Sequence, residues 1–439
     1  MMFHRSIRKI SAAVAAATAL TLPAGAFAWT PPPFPHLGGI ETGGQANYNS
    51  TTYQAALAKL SIMVLKYWPG LNPGGESMNT IIKQIKARNP NALVFFYTNA
   101  DEGYLGSKTT LAPLYNKVNS MHWWLKNGSS LVPSFYGDGG YTINNTPYTQ
   151  KDSSGNDSID WIAKWYVSNY YTPNPALDGL FIDNVFAKPR VTGDWYNNGV
   201  ALSPSTTTAS TAVQAGYERW FSLMHTLMPG KAQLGNAGSW AMPGATTPPG
   251  YVNMSNGAVL EALIGKSYST EQWAGWSAMM KEYNAVMSAT LAPKLVIFNE
   301  WGSPTDYRSF RYGFASCLMN NGYYSFTSTS TGYYGVVWFD EYNAKLGSAV
   351  SSAPTKAWQN GVWRRDFTNG IALVNPKGNG ARTVSLGGTF IKLKGGQAPT
   401  VNTGQAVTSV TLQDRDGIIL MRKTPLVQPA TPTVTVGTG

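Results

Sequence analysis

The feature that most constrains the fold is a repeated alternation of short apolar runs with longer amphipathic segments. The runs have the length and β-branched content of buried strands, and the segments between them carry apolar residues at helical spacing. Strands that alternate with helices in this way form a parallel sheet. Nine candidate strands lie at 36–40, 62–66, 92–97, 131–135, 179–183, 233–236, 258–261, 295–299 and 323–327.

About eight strand–helix units in roughly 300 residues match a (β/α)8 TIM barrel, so residues 29–352 are predicted to form one α/β barrel domain. One of the nine candidates is then not a barrel strand. The alternative is a doubly wound open sheet, which usually carries a glycine-rich phosphate loop after its first strand. Gly38-Gly39 and Gly43-Gly44 do not make that fingerprint.

Residues 353–425 show a different pattern. Short apolar runs are separated by glycine-containing turns, such as Asn369-Gly370 and Asp416-Gly417. This pattern predicts an antiparallel β-sandwich without helices. Few acids or histidines occur in it, so we interpret it as an accessory domain. Residues 426–439 are rich in Pro, Thr and Val, which predicts a flexible tail.

Residues 1–28 have the features of a secretory signal peptide. Three basic residues precede an apolar run at 10–22, and Ala26-Phe27-Ala28 offers a cleavage site before Trp29. We therefore expect export to the periplasm or the extracellular space. No later stretch approaches the ~18 apolar residues of a transmembrane helix, so no membrane span is expected.

The single cysteine and the charge pattern narrow the function classes. One cysteine, Cys317, cannot form an internal disulfide, and a Cys–His metal site is ruled out. Cys317 lies in a helix-like run and is predicted to be a buried, small apolar residue. The formal net charge is +11, or +8 without the three basic residues of the leader. Because the Lys and Arg residues are scattered, no nucleic-acid partner is indicated.

The first candidate for chemistry lies in residues 177–187, Leu-Asp-Gly-Leu-Phe-Ile-Asp-Asn-Val-Phe-Ala. A short buried strand stops here on Asp183. An unpaired buried carboxylate costs several kcal/mol, and catalytic groups of parallel barrels sit at the C-terminal strand ends. The alternative is that Asp183 caps a following turn or helix, as Asp often does.

Polar side chains recur at the other predicted strand ends, which converge on one face of a barrel. Glycoside hydrolysis needs two carboxyl groups, one protonated and one ionised. Asp183 and Glu261 are the catalytic candidates, because each directly ends an apolar run. The candidates for substrate binding are Glu41, Lys66, Tyr97, Asp101, Asn184, Asn236, Glu300 and Trp301.

Aromatic residues are numerous, with 15 Trp and 24 Tyr. Aromatic faces stack on sugar rings, and their N–H and O–H groups bond hydroxyls. The alternative is that these rings fill cores. Many lie in polar, glycine-rich segments, where a core role is less expected; these are Tyr141, Tyr148, Trp195, Tyr196, Trp240, Tyr251 and Trp301.

Other chemistries lack their motifs. No His-x-His or His-Glu-x-x-His spacing indicates a zinc hydrolase, and no Gly-x-Ser-x-Gly elbow indicates an esterase. His122 and His225 lie in helix-like stretches, where structural roles are usual. Lys66 could form a Schiff base, as in barrel aldolases, or an ion pair with the acids of the same face. No cofactor or metal is expected.

Several stretches resemble one family. The segment Leu-Asp-Gly-Leu-Phe-Ile-Asp-Asn-Val is similar to the Asp-Gly-hydrophobic-hydrophobic-Asp-Asn/Asp signature of bacterial glycoside-hydrolase-like TIM barrels, a group similar to the endo-α-1,4-polygalactosaminidases. Further landmarks are 93–98, 322–324, 338–342 and 361–376, the last resembling the first hairpin of their C-terminal β-domain. The resemblance implies a secreted polysaccharide hydrolase with an Asp on the Asp-Asn strand and a Glu on a later strand, which match Asp183 and Glu261.

The sequence thus favours a monomeric glycoside hydrolase that acts on a bacterial or extracellular polysaccharide. We assign Asp183 as the ionised partner, because Asn184 and nearby donors can hydrogen-bond a carboxylate. Glu261 follows an apolar run, where poorer solvation would raise its pKa and suit a general acid. The reverse assignment stays open. The alternative function is a glycan-binding barrel without a working acid pair, which two carboxyls within ~10 Å across an open cleft would disfavour.

Overall fold

The computed structural model describes Phe27 and residues 29–43, 47–71, 75–237 and 248–426. The predicted leader (except Phe27), Trp240 and the predicted tail beyond Leu426 lie outside these ranges. Within them, no helix combines the length and the apolarity needed to cross a membrane.

Eight parallel strands form the central sheet and confirm the predicted barrel. They follow one another around the sheet in chain order, with every neighbouring pair parallel. The last strand returns beside the first, where the Tyr324 amide donates to the His36 carbonyl at 3.0 Å. The strands are β1 (Gly38–Glu41), β2 (Ile62–Leu65), β3 (Leu93–Thr98), β8 (Gly179–Ile182), β9 (Ala232–Asn236), β10 (Gly257–Ile264), β11 (Ile297–Gly302) and β12 (Tyr323–Ser328).

The predicted strand at 131–135 is the one that is not part of the barrel. It falls in a long excursion after β3, which carries four two-residue strands paired as two small hairpins. Its apolar residues cover the helix layer instead of joining the central sheet; Val132, for example, belongs to that layer's cluster. The short strands are β4 (Glu102–Gly103), β5 (Lys126–Asn127), β6 (Ser130–Leu131) and β7 (Tyr141–Thr142).

Helices surround the barrel and bury their apolar faces against it. Helix α2 begins at Met78, directly after Ser77, whose side chain accepts from the Thr80 amide, so its start is set by a side-chain cap. The α-helices are α1 (Thr51–Leu57), α2 (Met78–Arg88), α3 (Ala112–Ser120), α4 (Ser158–Tyr166), α5 (Thr207–Leu227), α6 (Thr270–Ala289) and α7 (Tyr307–Cys317).

One sequence expectation about the helices needs correction, and the prediction for Cys317 is confirmed. Helix α3 ends at Ser120, so His122 lies after it, at φ 54°, and not within a helix. Helix α6 is interrupted at Gly275, whose φ of 82° breaks the helical geometry. Cys317 is buried, as predicted.

Two apolar layers hold the barrel together. Alternate residues of each strand point inward and form an interior cluster, which includes Val64, Phe95, Phe181 and Val259. The intervening residues point outward and pack beneath the helices. This alternation follows from the two-residue repeat of a β-strand, and it decides which strand-end side chains reach the open end of the barrel.

The C-terminal region is an antiparallel sheet of five strands in the order β13-β14-β17-β15-β16. The predicted strands at 382–386 and 389–393 form one strand with a register shift between Ser385 and Phe390. The strands are β13 (Trp363–Asp366), β14 (Gly370–Asn375), β15 (Arg382–Lys392), β16 (Ala406–Leu412) and β17 (Asp416–Arg422). One face of β14 and β17 packs on α7, and the other belongs to a separate, fully buried cluster.

A buried ion pair joins the two regions. Arg311 of α7 and Asp416 of β17 approach to 2.9 Å, and Arg311 also donates to the Gly417 carbonyl. Since an unpaired charge buried here would be costly, the pair fixes how the sheet sits on the barrel.

Candidate active site

The open C-terminal end of the barrel contains a central cleft with a cavity volume of about 220 Å³. The residues that line the cleft are Ile40, Thr42, Lys66, Tyr97, Phe181, Asp183, Asn236, Val259, Glu261 and Tyr333.

Strand alternation aims the two catalytic candidates into this cleft. Phe181 and Val259 point into the barrel interior. Asp183 and Glu261 each follow two residues later and therefore share that direction. Tyr97, within β3, and Asn236, at the end of β9, occupy the equivalent positions.

The sequence suggested that Glu261 is the last residue of its strand, but it is not. Strand β10 continues to Ile264 through a register shift, and Ala262 adopts a φ of 51°. The Ala262 amide donates to the Asn299 side chain at 3.0 Å, which stabilises the irregularity. Such bulges re-aim side chains next to functional sites, and this one follows Glu261 directly.

Three donors surround the Asp183 carboxyl group. The Tyr97 hydroxyl donates to Oδ2 at 2.6 Å, and the Asn236 side-chain amide donates to Oδ1 at 2.9 Å. The Asn184 backbone amide adds a third bond, also to Oδ1, at 2.9 Å. Asp183 therefore only accepts hydrogen bonds from these groups, as an ionised carboxylate does.

Glu261 has a different environment. It accepts from the Asn236 amide at 2.7 Å and from the Tyr333 hydroxyl. Burial raises the pKa of Glu261, and the nearby charge of Asp183 raises it further. The two hydrogen bonds and the ammonium of Lys266 oppose that shift without cancelling it. The direction agrees with the expectation for a general acid.

Asn236 bridges the two carboxyl groups. Its single Nδ2 atom bonds Asp183 Oδ1 and Glu261 Oε2, so these oxygens are at most about 5.6 Å apart, the sum of the two bond lengths. Retaining glycosidases have carboxyl groups separated by ~5–5.5 Å, and inverting enzymes need ~6.5–9.5 Å. The upper limit for this oxygen pair lies below the range of inverting enzymes.

Asp101 and Asn184 lie beside the central cleft, not in its wall. The Asn184 side chain donates to Asp101 at 3.0 Å and accepts from the Tyr136 hydroxyl at 2.7 Å. Burial raises the pKa of Asp101 well above its usual range, and the charges of Glu102 and Asp183 act in the same direction. Asp101 lines a separate, smaller cavity with Glu102.

Glu41 and Glu300 do not face the cleft, which corrects the sequence expectation for both. Each lies one residue out of phase with the interior positions and points outward beneath the helices. Glu41 is 5% exposed, with the Tyr53 hydroxyl at 3.4 Å; Glu300 is fully buried and accepts from the Tyr324 hydroxyl at 2.5 Å. Burial raises the pKa of each to about 8.

Lys66 and Trp301 meet their expectations only in part. Lys66 lines the cleft, but it forms no ion pair with any described carboxylate; its ammonium lies 5.5 Å from the Trp68 ring centre. Trp301 lies behind the cleft wall. Its ring is edge-on to the Tyr333 ring, with ring centres 5.0 Å apart, and the Lys266 ammonium lies 3.7 Å from the Trp301 ring centre. Trp301 therefore supports Tyr333 and does not line the cleft.

The loop aromatics divide into core and surface residues. Trp195 and Tyr251 are 4% and 1% exposed, so the core alternative is correct for them. Tyr148 and Tyr196 stack on each other at the surface, 4.5 Å between ring centres. Neither pair contributes to the wall of the central cleft.

Tyr333 is the cleft residue that sequence reasoning missed. It lies in the polar segment after β12 and reaches back over the barrel to Glu261. The available signal was the Tyr333-Tyr334 pair in a Gly-, Ser- and Thr-rich segment next to a predicted strand end. Thr42, which follows the outward-pointing Glu41, also lines the cleft and was not predicted. As for metals, the described residues contain no group of three His, Cys, Asp or Glu side chains arranged to hold an ion.

A family model described as "Hypothetical glycosyl hydrolase family 15" matches residues 86–371. The matched range begins in α2 and ends in β14, so it includes Asp183, Asn236 and Glu261. No curated protein matches the sequence significantly.

The chain is also distantly similar to solved carbohydrate-active enzymes. The glycoside hydrolase domain of PelA from Pseudomonas aeruginosa is 12% identical, with 70% of this chain and 99% of that chain covered and a TM-score of 0.41. Eubacterium rectale Amy13B is 8% identical, with coverages of 88% and 96% and a TM-score of 0.49. The α-amylase from Geobacillus thermoleovorans is 10% identical, with coverages of 89% and 99% and a TM-score of 0.43.

Proposed function

The chain belongs to the family described as hypothetical glycosyl hydrolase family 15, and from that premise we propose that it is a glycoside hydrolase that cleaves a polysaccharide with Asp183 and Glu261. The observation that carries the proposal is the bridge made by Asn236. One amide holds two carboxyl oxygens within about 5.6 Å of each other at the open end of the barrel. A glycan-binding barrel without catalysis would have no need for this arrangement.

The spacing supports a retaining mechanism. Glu261 donates its proton to the glycosidic oxygen while Asp183 attacks the anomeric carbon. The bond to the leaving sugar breaks, and a covalent glycosyl ester forms on Asp183. Glu261, now ionised, then takes a proton from water as the water oxygen attacks the same carbon. The ester bond breaks, the sugar leaves with its original configuration, and both carboxyl groups return to their starting states.

The neighbouring donors support these roles. Tyr97, Asn236 and the Asn184 amide orient Asp183 and stabilise its negative charge before attack. Glu261 needs a proton at the start of the cycle, and its raised pKa shifts it towards the protonated form. Asn236 can continue to donate to Glu261 after the proton has left.

We further propose that the substrate is a bacterial or extracellular polysaccharide and that the protein acts outside the cytoplasm. The signal-peptide features of residues 1–28 and the abundance of aromatic residues support this part of the proposal. Lys66 and Tyr333 lie in the cleft wall, where they could bond sugar hydroxyls.

The test is a screen of the purified protein, starting at Trp29, against a panel of soluble polysaccharides. Reducing-end release is measured for the wild type and for Asp183→Asn. We expect release by the wild type alone from at least one polymer, and the first product seen by NMR should keep the anomeric configuration of the substrate. Equal release by Asp183→Asn would overturn the catalytic assignment, and an inverted first product would overturn the retaining mechanism.

A further inference from the structure

We propose that a second, lateral groove on the outside of the barrel binds another stretch of the polysaccharide without cleaving it. The lateral groove has a volume of about 410 Å³ and lies between the barrel and the C-terminal sheet. This inference rests on the proposed function, because it takes its ligand to be the polymer that the central cleft cleaves. The residues that line the lateral groove are Trp276, Ser277, Met280, Lys281, Asn284, Ser288, Met319, Asn320, Ala353, Pro354, Thr355 and Trp363.

Two indole rings form the wall of the lateral groove. Trp276 of α6 and Trp363 of β13 contact each other, with ring centres 4.9 Å apart and planes inclined by 54°. Trp276 is 4% exposed and is fixed by a hydrogen bond from its Nε1 to the Ser316 hydroxyl at 2.8 Å. Trp363 is only half-buried. A rigid indole with an accessible face suits stacking on the apolar face of a sugar ring.

Polar groups border these rings along one side of α6. Beyond Gly275 the helix is regular, so Ser277, Lys281 and Asn284 fall on one face at spacings of four and three residues. The Asn284 side-chain oxygen Oδ1 accepts from the Asn320 side-chain amide at 2.8 Å, which holds both amides in place. Among the described residues, neither the Ser277 hydroxyl nor the Lys281 ammonium has a partner. Both are exposed and available to sugar hydroxyls.

The chemistry of the lining distinguishes this site from the central cleft. None of the residues that line the lateral groove is Asp, Glu or His, so they offer no acid–base pair for hydrolysis. Lys281 is the only charged group among them, which favours a neutral or anionic sugar over a cationic one. A purely apolar ligand would leave the hydroxyl, amide and ammonium groups without partners.

The position suggests how the lateral groove would act. Helix α6 follows β10, the strand that carries Glu261, and the lateral groove runs along this helix from Trp276 to Ser288. A polymer held at the lateral groove raises the local concentration of chain at the cleft. The gain would apply to long chains and not to fragments that fill the central cleft alone.

The test uses the full mature chain with Glu261→Gln, so that bound polymer is not cleaved. Affinity electrophoresis in gels that contain xylan, dextran or polygalacturonate measures retention and hence the dissociation constant. We compare Trp363→Ala, which removes an indole, with Ser277→Trp, which fills the lateral groove from an exposed position and leaves both indoles in place. Trp358→Ala is the matched control, because Trp358 is 39% exposed and lies outside the lateral groove.

For any polymer that retains the parent, we expect both groove variants to weaken binding roughly 3- to 10-fold, as the loss of one aromatic contact would. Trp358→Ala should bind like the parent. Retention of the parent by none of the polymers, or equal retention of parent, Trp363→Ala and Ser277→Trp, would overturn the proposal. Hydrolysis by the wild type is scored separately, so a functional groove on an inactive barrel, or an active barrel without a functional groove, would each be recognised.

Discussion

Four carboxyl groups near the C-terminal ends of barrel strands fall into two pairs that share a sequence context but not an environment. Asp183 and Glu261 point into the central cleft, where Asn236 bridges them. Glu41 and Glu300 point outward and are buried beneath the helices, each against a tyrosine hydroxyl. Side chains along a strand alternate between inward and outward directions, and the two pairs occupy positions of opposite direction.

This difference shows that position at a strand end does not make a carboxyl group functional. The inward pair reaches an open space and donors from neighbouring strands. The outward pair is separated from the cleft by the sheet itself, and burial raises the pKa of each outward carboxyl to about 8. The outward pair is therefore largely protonated at neutral pH and acts as part of the packing.

The largest expected effect separates the two pairs by activity. Asp183→Asn and Glu261→Gln keep shape and remove the ionisable group, so each should lower turnover by at least ~10³-fold. Glu300→Gln and Glu41→Gln should change turnover less than ~3-fold, because neither side chain reaches the cleft. Reducing-end release measures turnover, and circular dichroism checks that all four variants are folded. A loss with Glu300→Gln as large as that with Glu261→Gln would abolish the distinction.

The second effect separates the pairs by stability. The pKa of Glu300 is about 8 in the folded protein and near 4.5 when unfolded, so between these values the folded state holds the proton more tightly. Unfolding then releases a proton, and the free energy of unfolding falls as pH rises from about 4.5 to about 8. The stabilisation that protonated Glu300 provides is fully present below about pH 4.5. It is lost as the pH rises through the folded-state pKa of about 8.

Glu300→Gln keeps the buried shape without this penalty. We expect its free energy of unfolding to exceed that of the wild type by on the order of 3 kcal/mol at pH 8, and much less at pH 5. Denaturant unfolding at the two pH values measures the difference. An equal stability gain at pH 5 and pH 8 would contradict a titrating Glu300.

The strand alternation explains how much of the site could be read from the sequence. The apolar runs located all eight barrel strands, with Asp183 directly after β8 and Glu261 within β10. Counting two residues from an interior position would also have selected Tyr97 and Asn236 and rejected Glu41 and Glu300. That count requires knowing which residues of a run are interior, and a fully apolar run such as Leu-Val-Phe-Phe does not show this.

Other features depend on contacts that no local pattern encodes. Tyr333 reaches Glu261 from a segment 72 residues away along the chain. The Asn236 bridge depends on the angles between β8, β9 and β10, and on the bulge at Ala262 that follows Glu261. Trp195 and Tyr251 lie in polar segments, yet they are buried because those segments fold over the helix layer. Such placements follow from tertiary packing and not from residue type.

The third prediction tests the hydrogen-bonded bridge that Asn236 makes between Asp183 and Glu261. Asn236→Ala removes the donor that both carboxyl groups share, so Asp183 loses one of three hydrogen bonds and Glu261 one of two. We expect kcat/KM to fall by roughly 30-fold, equivalent to about 2 kcal/mol of lost transition-state stabilisation. Because the Asn236 hydrogen bond lowers the pKa of Glu261, that pKa should also rise. An unchanged pH profile together with unchanged kcat/KM would show that the bridge has no role.

The smallest effect isolates Glu261. As a general acid, Glu261 must be protonated, so activity should fall as pH rises through its pKa. The Tyr333 hydroxyl donates to Glu261 and favours the ionised form, which opposes the larger effect of burial. Tyr333→Phe removes this bond and should raise the pKa of Glu261, so the alkaline limb of the kcat/KM profile moves to higher pH by up to about one unit. Turnover on the acid side should fall only about 3- to 10-fold, because Asn236 still holds the carboxyl group.

The direction in which the alkaline limb moves is diagnostic, since a general loosening of the site would lower activity at every pH without moving the limb. Tyr334→Phe removes the adjacent, exposed hydroxyl and should leave the limb in place. A shift to lower pH in Tyr333→Phe, or the same shift in both variants, would mean that Glu261 is not the acid whose titration limits the reaction.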